Sequence, residues 1–158
     1  IAMLKYGMPD LRPFFEAAAR AFAAEPVAAP VRDAAAIDSA LAALSREPGG
    51  GLLVMPDSFT LRHRERIVAL AARYRLPAIY PFRAFATAGG LLAYGVDVID
   101  LNRRAAGYVD RILRGAVAAD LPVQAPSKFE LVINFKTAKA MGLDVPLHIQ
   151  QRSDEVIE

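Results

Sequence analysis

The stretch from Gly49 to Pro81 constrains the fold more than any other part of the chain. It reads GGGLLVMPDSFTLRHRERIVALAARYRLPAIYP: an apolar run, a polar turn, an amphipathic stretch and a second short apolar run. This order predicts a strand, a loop, a helix and a second strand. Strands joined through a helix pair in parallel, because a parallel pair needs a long crossover. We therefore expect the turn Pro56-Asp57-Ser58 at the carboxyl edge of a parallel sheet, where open α/β folds bind ligands.

The rest of the chain continues this alternation of short apolar runs and amphipathic stretches. The expected strands cover residues 1–6, 27–31, 52–55, 77–80, 91–94 and 129–135. The expected helices cover residues 11–24, a stretch opened by Asp33, 58–75, 98–114 and 136–141. Pro30 indicates that the second strand lies at a sheet edge. The expected fold is a three-layer, doubly wound α/β fold with a mostly parallel sheet and a C-terminal β-α appendix.

Three local features carry further expectations. Ser58 and Asp97 are expected to cap the helices that begin beside them, because short polar side chains accept hydrogen bonds from free backbone amides. The ending SDEVIE, residues 153–158, is expected to be loosely helical. Apolar residues at helical spacing predict a buried face on the first helix. These residues are Leu11, Phe14, Phe15, Ala18 and Phe22.

Composition excludes several kinds of site. The chain has 19 Lys and Arg against 17 Asp and Glu, and this small excess predicts no nucleic-acid partner. It has no cysteine, which excludes disulfides, thiolate chemistry and cysteine-based zinc sites. His63 and His148 are isolated and show no metal-ligand spacing, so we expect no metal and no cofactor. No apolar run reaches the roughly 18 residues that span a bilayer.

Motifs for catalysis or phosphate binding are missing from the sequence. The glycines at 49–51 and at 89–90 precede strands, whereas a phosphate loop follows a strand and opens a helix. Ser58 lacks the G-x-S-x-G pattern of a nucleophile elbow. The expectation is therefore a protein that is not an enzyme and has no catalytic residue. A flavodoxin-like or isomerase-type enzyme domain remains an alternative that would need such a motif or an acid/base pair.

Polar and aromatic residues at the predicted strand ends are the candidates for ligand binding. In a small zwitterion, an ammonium would pair with Asp57 and a carboxylate with Arg83. Each residue also has an ordinary structural explanation: Asp57 as a helix N-terminal charge, Arg83 as a surface residue and Tyr94 as a core aromatic. The candidate ligand-binding residues are Tyr6, Asp57, Ser58, Phe82, Arg83 and Tyr94.

A longer set of motifs carries a family resemblance. The chain contains a YG-x-D turn, an AA-x-YVD-x-ILRG helix, the strand start KFEL and the passage INFKTAKAMGL, and upstream the segments GLLVMPDSF and RLPAIYP. In these it resembles the substrate-binding proteins of ABC transporters with a type I periplasmic binding fold, a group that includes aromatic amino-acid binders. The motif after the fourth strand differs, because Phe82-Arg83 stands where the family pattern has small or acidic residues.

The resemblance implies two lobes that close over a ligand, with no covalent chemistry. Residues 1–81 would be the second lobe, 82–97 a hinge-crossing segment and 98–158 returning segments, with a first lobe and an export signal outside this chain. The implied function is the solute-binding component of an ABC importer, periplasmic or lipid-anchored, which delivers a small molecule such as an amino acid or organic acid to permease subunits. A ligand-sensing domain of the same fold is the alternative.

The missing lobe also carries an expectation about assembly. Without it, the helix at 98–114 and the strand at 129–135 would expose apolar faces. We therefore expect a homodimer or a swapped assembly of this chain.

Overall fold

The structure is a computed structural model that describes residues 1–5 and 12–158, without the side chains of residues 4, 5 and 12. Tyr6 and Leu11, which carry two of the sequence predictions, lie outside the described residues.

One sheet organises the described part of the chain, and its seven strands run in the order β2-β1-β3-β4-β5-β6-β7. The first five strands are parallel, β6 is antiparallel to β5, and β7 is parallel to β6. The predicted doubly wound, mostly parallel α/β fold is confirmed, with Pro30 on the edge strand. The strands are β1 Ala2–Lys5, β2 Val27–Pro30, β3 Leu52–Val54, β4 Ala78–Tyr80, β5 Leu92–Val96, β6 Phe129–Asn134 and β7 Glu155–Ile157.

Helices connect these strands, and side-chain caps define several of their starts. Asp33 and Asp97 cap the helices that follow them, as predicted. The expected helix over 58–75 is divided at His63, and its cap is Asp57 rather than Ser58, because the Asp57 carboxylate accepts the backbone N–H of Thr60. The helices are α1 Arg12–Ala21, α2 Ala34–Leu44, α3 Ser58–Arg62, α4 Arg64–Arg73, α5 Arg83–Thr87, α6 Val98–Leu113, α7 Phe135–Met141 and α8 Leu147–Gln150.

The main core lies between the sheet and the helices α2, α4 and α5. Its centre includes Tyr80 and Phe85, whose rings stack at 5.0 Å between centroids. Each fully buried aliphatic or aromatic side chain of this kind contributes about 1.5–3 kcal/mol through the hydrophobic effect. Other side chains buried there are Ile37, Leu41, Leu52, Val54, Ile67, Val68 and Val132.

The predicted buried face of the first helix is wrong for Phe14, Ala18 and Phe22, which are exposed, while Phe15 is half-buried. Phe14 is 75% exposed and Phe22 is 84% exposed, whereas Ala19 is 6% exposed. Helical spacing identifies an apolar stripe, but burial also needs another element to cover it. The described residues provide no such cover over Phe14 and Phe22.

The C-terminal segments differ from the sequence prediction. Residues 155–157 form strand β7 rather than part of a loose helix, because Glu155 pairs with Val132 of β6 in the sheet ladder. Strands from the segments predicted as hinge-crossing and as returning thus share one sheet with the strands of residues 1–81. Where the lobes of the whole protein divide stays a prediction.

The helix α6 and residues 114–128, here called the α6 arm, extend from this sheet. No residue of α6 is buried. The returning chain is held along the helix by the Tyr108 hydroxyl, which donates to the Pro122 carbonyl at 2.5 Å, and by Arg104, which donates to Gln124 and Ser127. The arm is therefore ordered by its own polar contacts rather than by the core.

Candidate functional site

A cleft, here called the edge cleft, opens where β3, β4 and β5 end and β6 begins. Its volume is about 340 Å³, which lies in the range of roughly 300–1,000 Å³ typical of small-molecule pockets. No charged side chain is among the described residues that line it. The lining consists of Leu53, Val54, Met55, Pro56, Ile79, Tyr80, Pro81, Phe82, Tyr94, Gly95, Val96 and Phe129.

Two exposed aromatic rings stand together in the edge cleft. Tyr94 and Phe129 are 58% and 48% exposed, and their rings stack with centroids 6.1 Å apart and planes 22° apart. The antiparallel register brings them together, because Val96 of β5 pairs with Phe129 of β6. Exposed aromatic surface of this kind can stack on an apolar or aromatic part of a ligand.

The floor of the edge cleft depends on a close approach between two strands. A Cβ atom on Gly95 would lie 1.9 Å from the carbonyl oxygen of Pro81, far inside van der Waals contact. Only glycine lets the two backbones come this close. This approach fixes the distance between the residues after β4 and the end of β5.

The turn after β3 is held by a cap and by a buried hydroxyl. The Asp57 carboxylate accepts the Thr60 backbone N–H at 2.7 Å, and the Thr60 hydroxyl donates to the Met55 carbonyl at 2.9 Å. Thr60 has no exposed surface. The residues Met55 and Pro56, which line the edge cleft, therefore belong to a fixed turn.

An ion pair between Lys128 and Asp97 joins the two ends of the α6 arm where the arm leaves the sheet. Lys128 lies 2.8 Å from the Asp97 carboxylate, and the Asp97 backbone N–H donates to the Lys128 carbonyl at 3.0 Å. Asp97 also accepts the Asp100 backbone N–H at 3.0 Å. The hydrogen bond from Lys128, followed by the one from Asp100, lowers the pKa of the Asp97 carboxyl below its ordinary value.

Arg83 forms an ion pair with a residue from a distant part of the chain. It binds both carboxylate oxygens of Glu155, with one N···O distance of 2.7 Å, and so ties α5 to β7. Glu130 is nearby, and its pKa is raised, first by burial and then by the charge of Asp97, while the Arg83 charge lowers it. A guanidinium with a bidentate partner of this kind is first of all a structural contact.

The structure brings some of the predicted site residues together and leaves others apart. Phe82 and Tyr94 both line the edge cleft, whereas Asp57 and Ser58 follow its lining residue Pro56 in the chain. Arg83 is paired as described above, and Tyr6 lies outside the described residues. Whether any of these residues contacts a ligand stays a prediction.

Sequence reasoning missed Phe129 and Met55, although both line the edge cleft. Phe129 begins a strand 33 positions after Val96, and nothing local in the sequence says that these two residues pair. The sequence predicts Met55 as the last residue of the strand, but β3 ends at Val54. The turn residues Pro56 and Asp57 are the local sequence signal that indicates the end of the strand and the start of the cleft at this point.

Two further features are absent from the described ranges 1–5 and 12–158, a metal site and a membrane-spanning helix. No cluster of three or more His, Asp or Glu side chains could hold a metal ion there. None of the helices in these ranges is both long enough and apolar enough to cross a membrane.

Comparison with known proteins identifies the family. The model of the family described as "ABC transporter substrate binding protein" matches residues 13–157. A search among curated proteins finds no match to the chain. The family match favours ligand binding over the enzyme alternative.

Solved structures show the same fold. A conserved domain protein from Vibrio cholerae has a TM-score of 0.85 at 20% identity, covering 98% of this chain and 54% of that one. An ABC domain in complex with L-Trp from Streptococcus pneumonia has a TM-score of 0.86 at 22% identity, covering 99% of this chain and 55% of that one. A ligand-free, open substrate binding protein with adhesive properties from Clostridium difficile gives 0.64 at 15% identity, with coverage of 99% and 53%.

The chain thus spans about half the length of the solved proteins that it matches. The expected homodimer or swapped assembly finds no support in the structure or in these comparisons. The family match, by contrast, covers nearly the whole sequence and agrees with the fold. The chain belongs to the ABC transporter substrate binding protein family.

Proposed function

We propose that this chain is part of the solute-binding component of an ABC importer and that it holds a small molecule in the edge cleft. The observation that carries the proposal is an aromatic, uncharged cleft at the carboxyl edge of a doubly wound sheet, in a chain of the substrate-binding family. Ligands of open α/β folds bind at this edge. Proteins of this family are typically extracytoplasmic and not enzymes. We place this one in the periplasm or on a lipid anchor.

The lining indicates which part of a ligand this chain would contact. Tyr94, Phe129 and Phe82 offer aromatic surface, and apart from the buried Tyr80 the remaining lining is aliphatic, methionine, proline or glycine. An apolar or planar group, such as the side chain of an amino acid or the ring of a small organic acid, suits this surface. The solved relative from Streptococcus, in complex with L-Trp, supports a ligand of this kind.

The polar groups of such a ligand have candidate partners beyond the lining. Asp57 and Ser58 remain proposed partners for an ammonium or hydroxyl group, and Tyr6 remains a further proposed contact. Arg83 would bind a ligand carboxylate only after releasing Glu155, because the two terminal nitrogens of its guanidinium both bind the Glu155 carboxylate. We therefore expect Arg83 to contribute least of the proposed set.

The proposed mechanism is closure driven by ligand binding. The solved relatives are about twice as long as this chain, and the remaining half of the whole protein would form a facing lobe. The closed form would then dock on the permease subunits. Closure follows from differential affinity, because a ligand stabilises the closed state only if it binds that state better. No covalent step is part of this mechanism.

A calorimetric titration of the whole protein, facing lobe included, with L-tryptophan, other amino acids and small organic acids tests the proposal. We expect saturable binding by one ligand class, and Tyr94→Ala should weaken it about fivefold or more, because truncating a stacked aromatic anchor costs over about 1 kcal/mol. Phe14→Ala is the matched control: Phe14 is an exposed aromatic on α1 and does not line the edge cleft. Equal losses in both variants, or no binding of any ligand, would contradict the proposal.

A further inference from the structure

Thr60 is a polar residue with no exposed surface, and its hydroxyl and backbone N–H both bond to the turn after β3. Its hydroxyl donates to the Met55 carbonyl at 2.9 Å and also lies 3.1 Å from the Asp57 carbonyl. Its backbone N–H donates to the Asp57 carboxylate at 2.7 Å. One residue therefore holds both ends of the three-residue turn 55–57 between β3 and α3.

This turn supplies the β3 side of the edge cleft through Met55 and Pro56. A hydrogen bond to a peptide carbonyl restricts the backbone rotation of that residue, so the Thr60 hydroxyl restrains the direction in which the Met55 side chain leaves the backbone. Methionine is otherwise the most adaptable of the apolar side chains. Its anchor must come from the backbone.

We propose that Thr60 is a positioning residue for ligand binding, which shapes the Met55–Pro56 wall of the edge cleft without touching the ligand. The inference rests on the proposed function, since it assigns a role in binding at the same cleft. Thr60 itself does not line the cleft, so its effect passes through the turn. Loss of the hydroxyl removes the hydrogen bond to the Met55 carbonyl, which lets the Met55–Pro56 wall move.

The test uses L-tryptophan as the probe. This chain contains no tryptophan, so it adds no indole fluorescence of its own to the signal of the probe. Thr60→Val keeps the shape of the side chain and removes the donor, and Thr60→Ser keeps the donor. We expect Thr60→Val to weaken binding about five- to tenfold, the effect of about one hydrogen bond, and Thr60→Ser to stay within about twofold of the unsubstituted protein.

Thr137, on α7, provides a matched control. Its hydroxyl donates to the Gly89 carbonyl at 2.8 Å, which is the same kind of bond, but its neighbourhood does not line the edge cleft. Thr137→Val should lower stability in urea unfolding and leave the affinity for L-tryptophan unchanged. If Thr60→Val does not fold, Thr60→Cys replaces it, because a thiol is a weak donor of similar size.

The outcomes separate the inference from the function on which it rests. Unchanged affinity in Thr60→Val, or equal losses in Thr60→Val and Thr137→Val, would overturn the positioning role and leave the proposed function intact. Absence of binding by the unsubstituted protein would overturn the proposed function and the inference with it. A selective loss in Thr60→Val that Thr60→Ser does not show would support the inference.

Discussion

Two turns at the same edge of the sheet have the same kind of cap, but one leads into the buried core and the other into an exposed helix. Asp57 and Asp97 each follow a strand and each cap a helix by accepting a backbone N–H three residues on. The first turn leads to Thr60 and Ile67, which have no exposed surface, whereas the second leads to α6, which has no buried residue. A cap fixes where a helix begins, but the burial of that helix depends on what packs against it.

The two turns also differ in the bonds that hold them. The Asp57 turn is fixed from inside the protein by a buried hydroxyl, and the Asp97 turn is fixed at the surface by Lys128, whose side chain is 62% exposed. Exposed ion pairs are screened by salt and contribute little to stability. We therefore expect the first turn to be stable over a wide range of conditions and the second to respond to pH and salt.

The largest expected difference in unfolding free energy is between two truncations, Ile67→Ala after the Asp57 turn and Ile99→Ala after the Asp97 turn. Ile67→Ala in the core should cost about 2–5 kcal/mol of unfolding free energy, because it leaves a cavity among packed side chains. Ile99→Ala should change it by less than about 0.5 kcal/mol, since Ile99 is 70% exposed. Urea unfolding measures both, and a large loss in Ile99→Ala would show that the α6 arm is covered in solution.

Removing the cap of the first turn should have a smaller effect. Asp57→Ala should cost about 1 kcal/mol, the usual value of an N-cap side chain, and it should also weaken the binding of L-tryptophan by loosening the turn. Asp33→Ala removes the equivalent cap of α2, away from the edge cleft, and serves as the control. Equal affinity in the two variants would argue against a role of the Asp57 turn in binding.

The Asp97 turn should lose the ion pair with Lys128 at acid pH. The hydrogen bond from Lys128, then that from Asp100, lowers the pKa of Asp97, so the native state favours the charged carboxylate. The stabilisation is present above the ordinary carboxyl pKa of about 4 and is lost as pH falls through the lowered pKa. Amide exchange at Asp100 should accelerate over that window, and Asp97→Asn should remove the pH dependence. Exchange that does not respond to pH there, after correction for the intrinsic rate, would contradict it.

The smallest expected effect concerns Glu130, near the base of the α6 arm. Burial, and after it the charge of Asp97, raises the pKa of Glu130, so its ionisation opposes folding. Stability from this group is present at low pH and is lost as pH rises through the raised pKa. Glu130→Gln should therefore raise the thermal midpoint slightly at pH 7 and have no such effect near pH 3. A fall in the midpoint at pH 7 would mean that the Arg83 charge dominates at this position.

Local chemistry explains which features could be predicted from the sequence. The caps at Asp33 and Asp97 and the βαβ order of residues 49–81 depend on neighbours a few positions apart, and they are confirmed. The pairing of Phe129 with Val96 and of Arg83 with Glu155 joins distant positions, so no local pattern indicates it. The exposure of Phe14 could not be predicted either, because it depends on what packs against α1.

The same distinction applies to the edge cleft. Its place at the carboxyl edge followed from the strand and helix order, and Phe82 and Tyr94 followed from being next to strand ends. The role of the Asp57 carboxylate as a cap needs the distance to the Thr60 amide, which only the structure supplies. Sequence reasoning found the location of the cleft and two of its aromatic residues, while the structure adds the stacked partner and the buried anchor.

The contact between Gly95 and Pro81 also bears on how a cleft of this kind can change in evolution. Any side chain at position 95 would collide with the Pro81 carbonyl, so this position cannot vary without moving a strand. Under the proposed function, new ligand preferences would arise at other lining positions, such as 55, 82, 94 and 129. A library that randomises these four codons and leaves codon 95 as glycine would explore new specificities with the smallest share of unfolded variants.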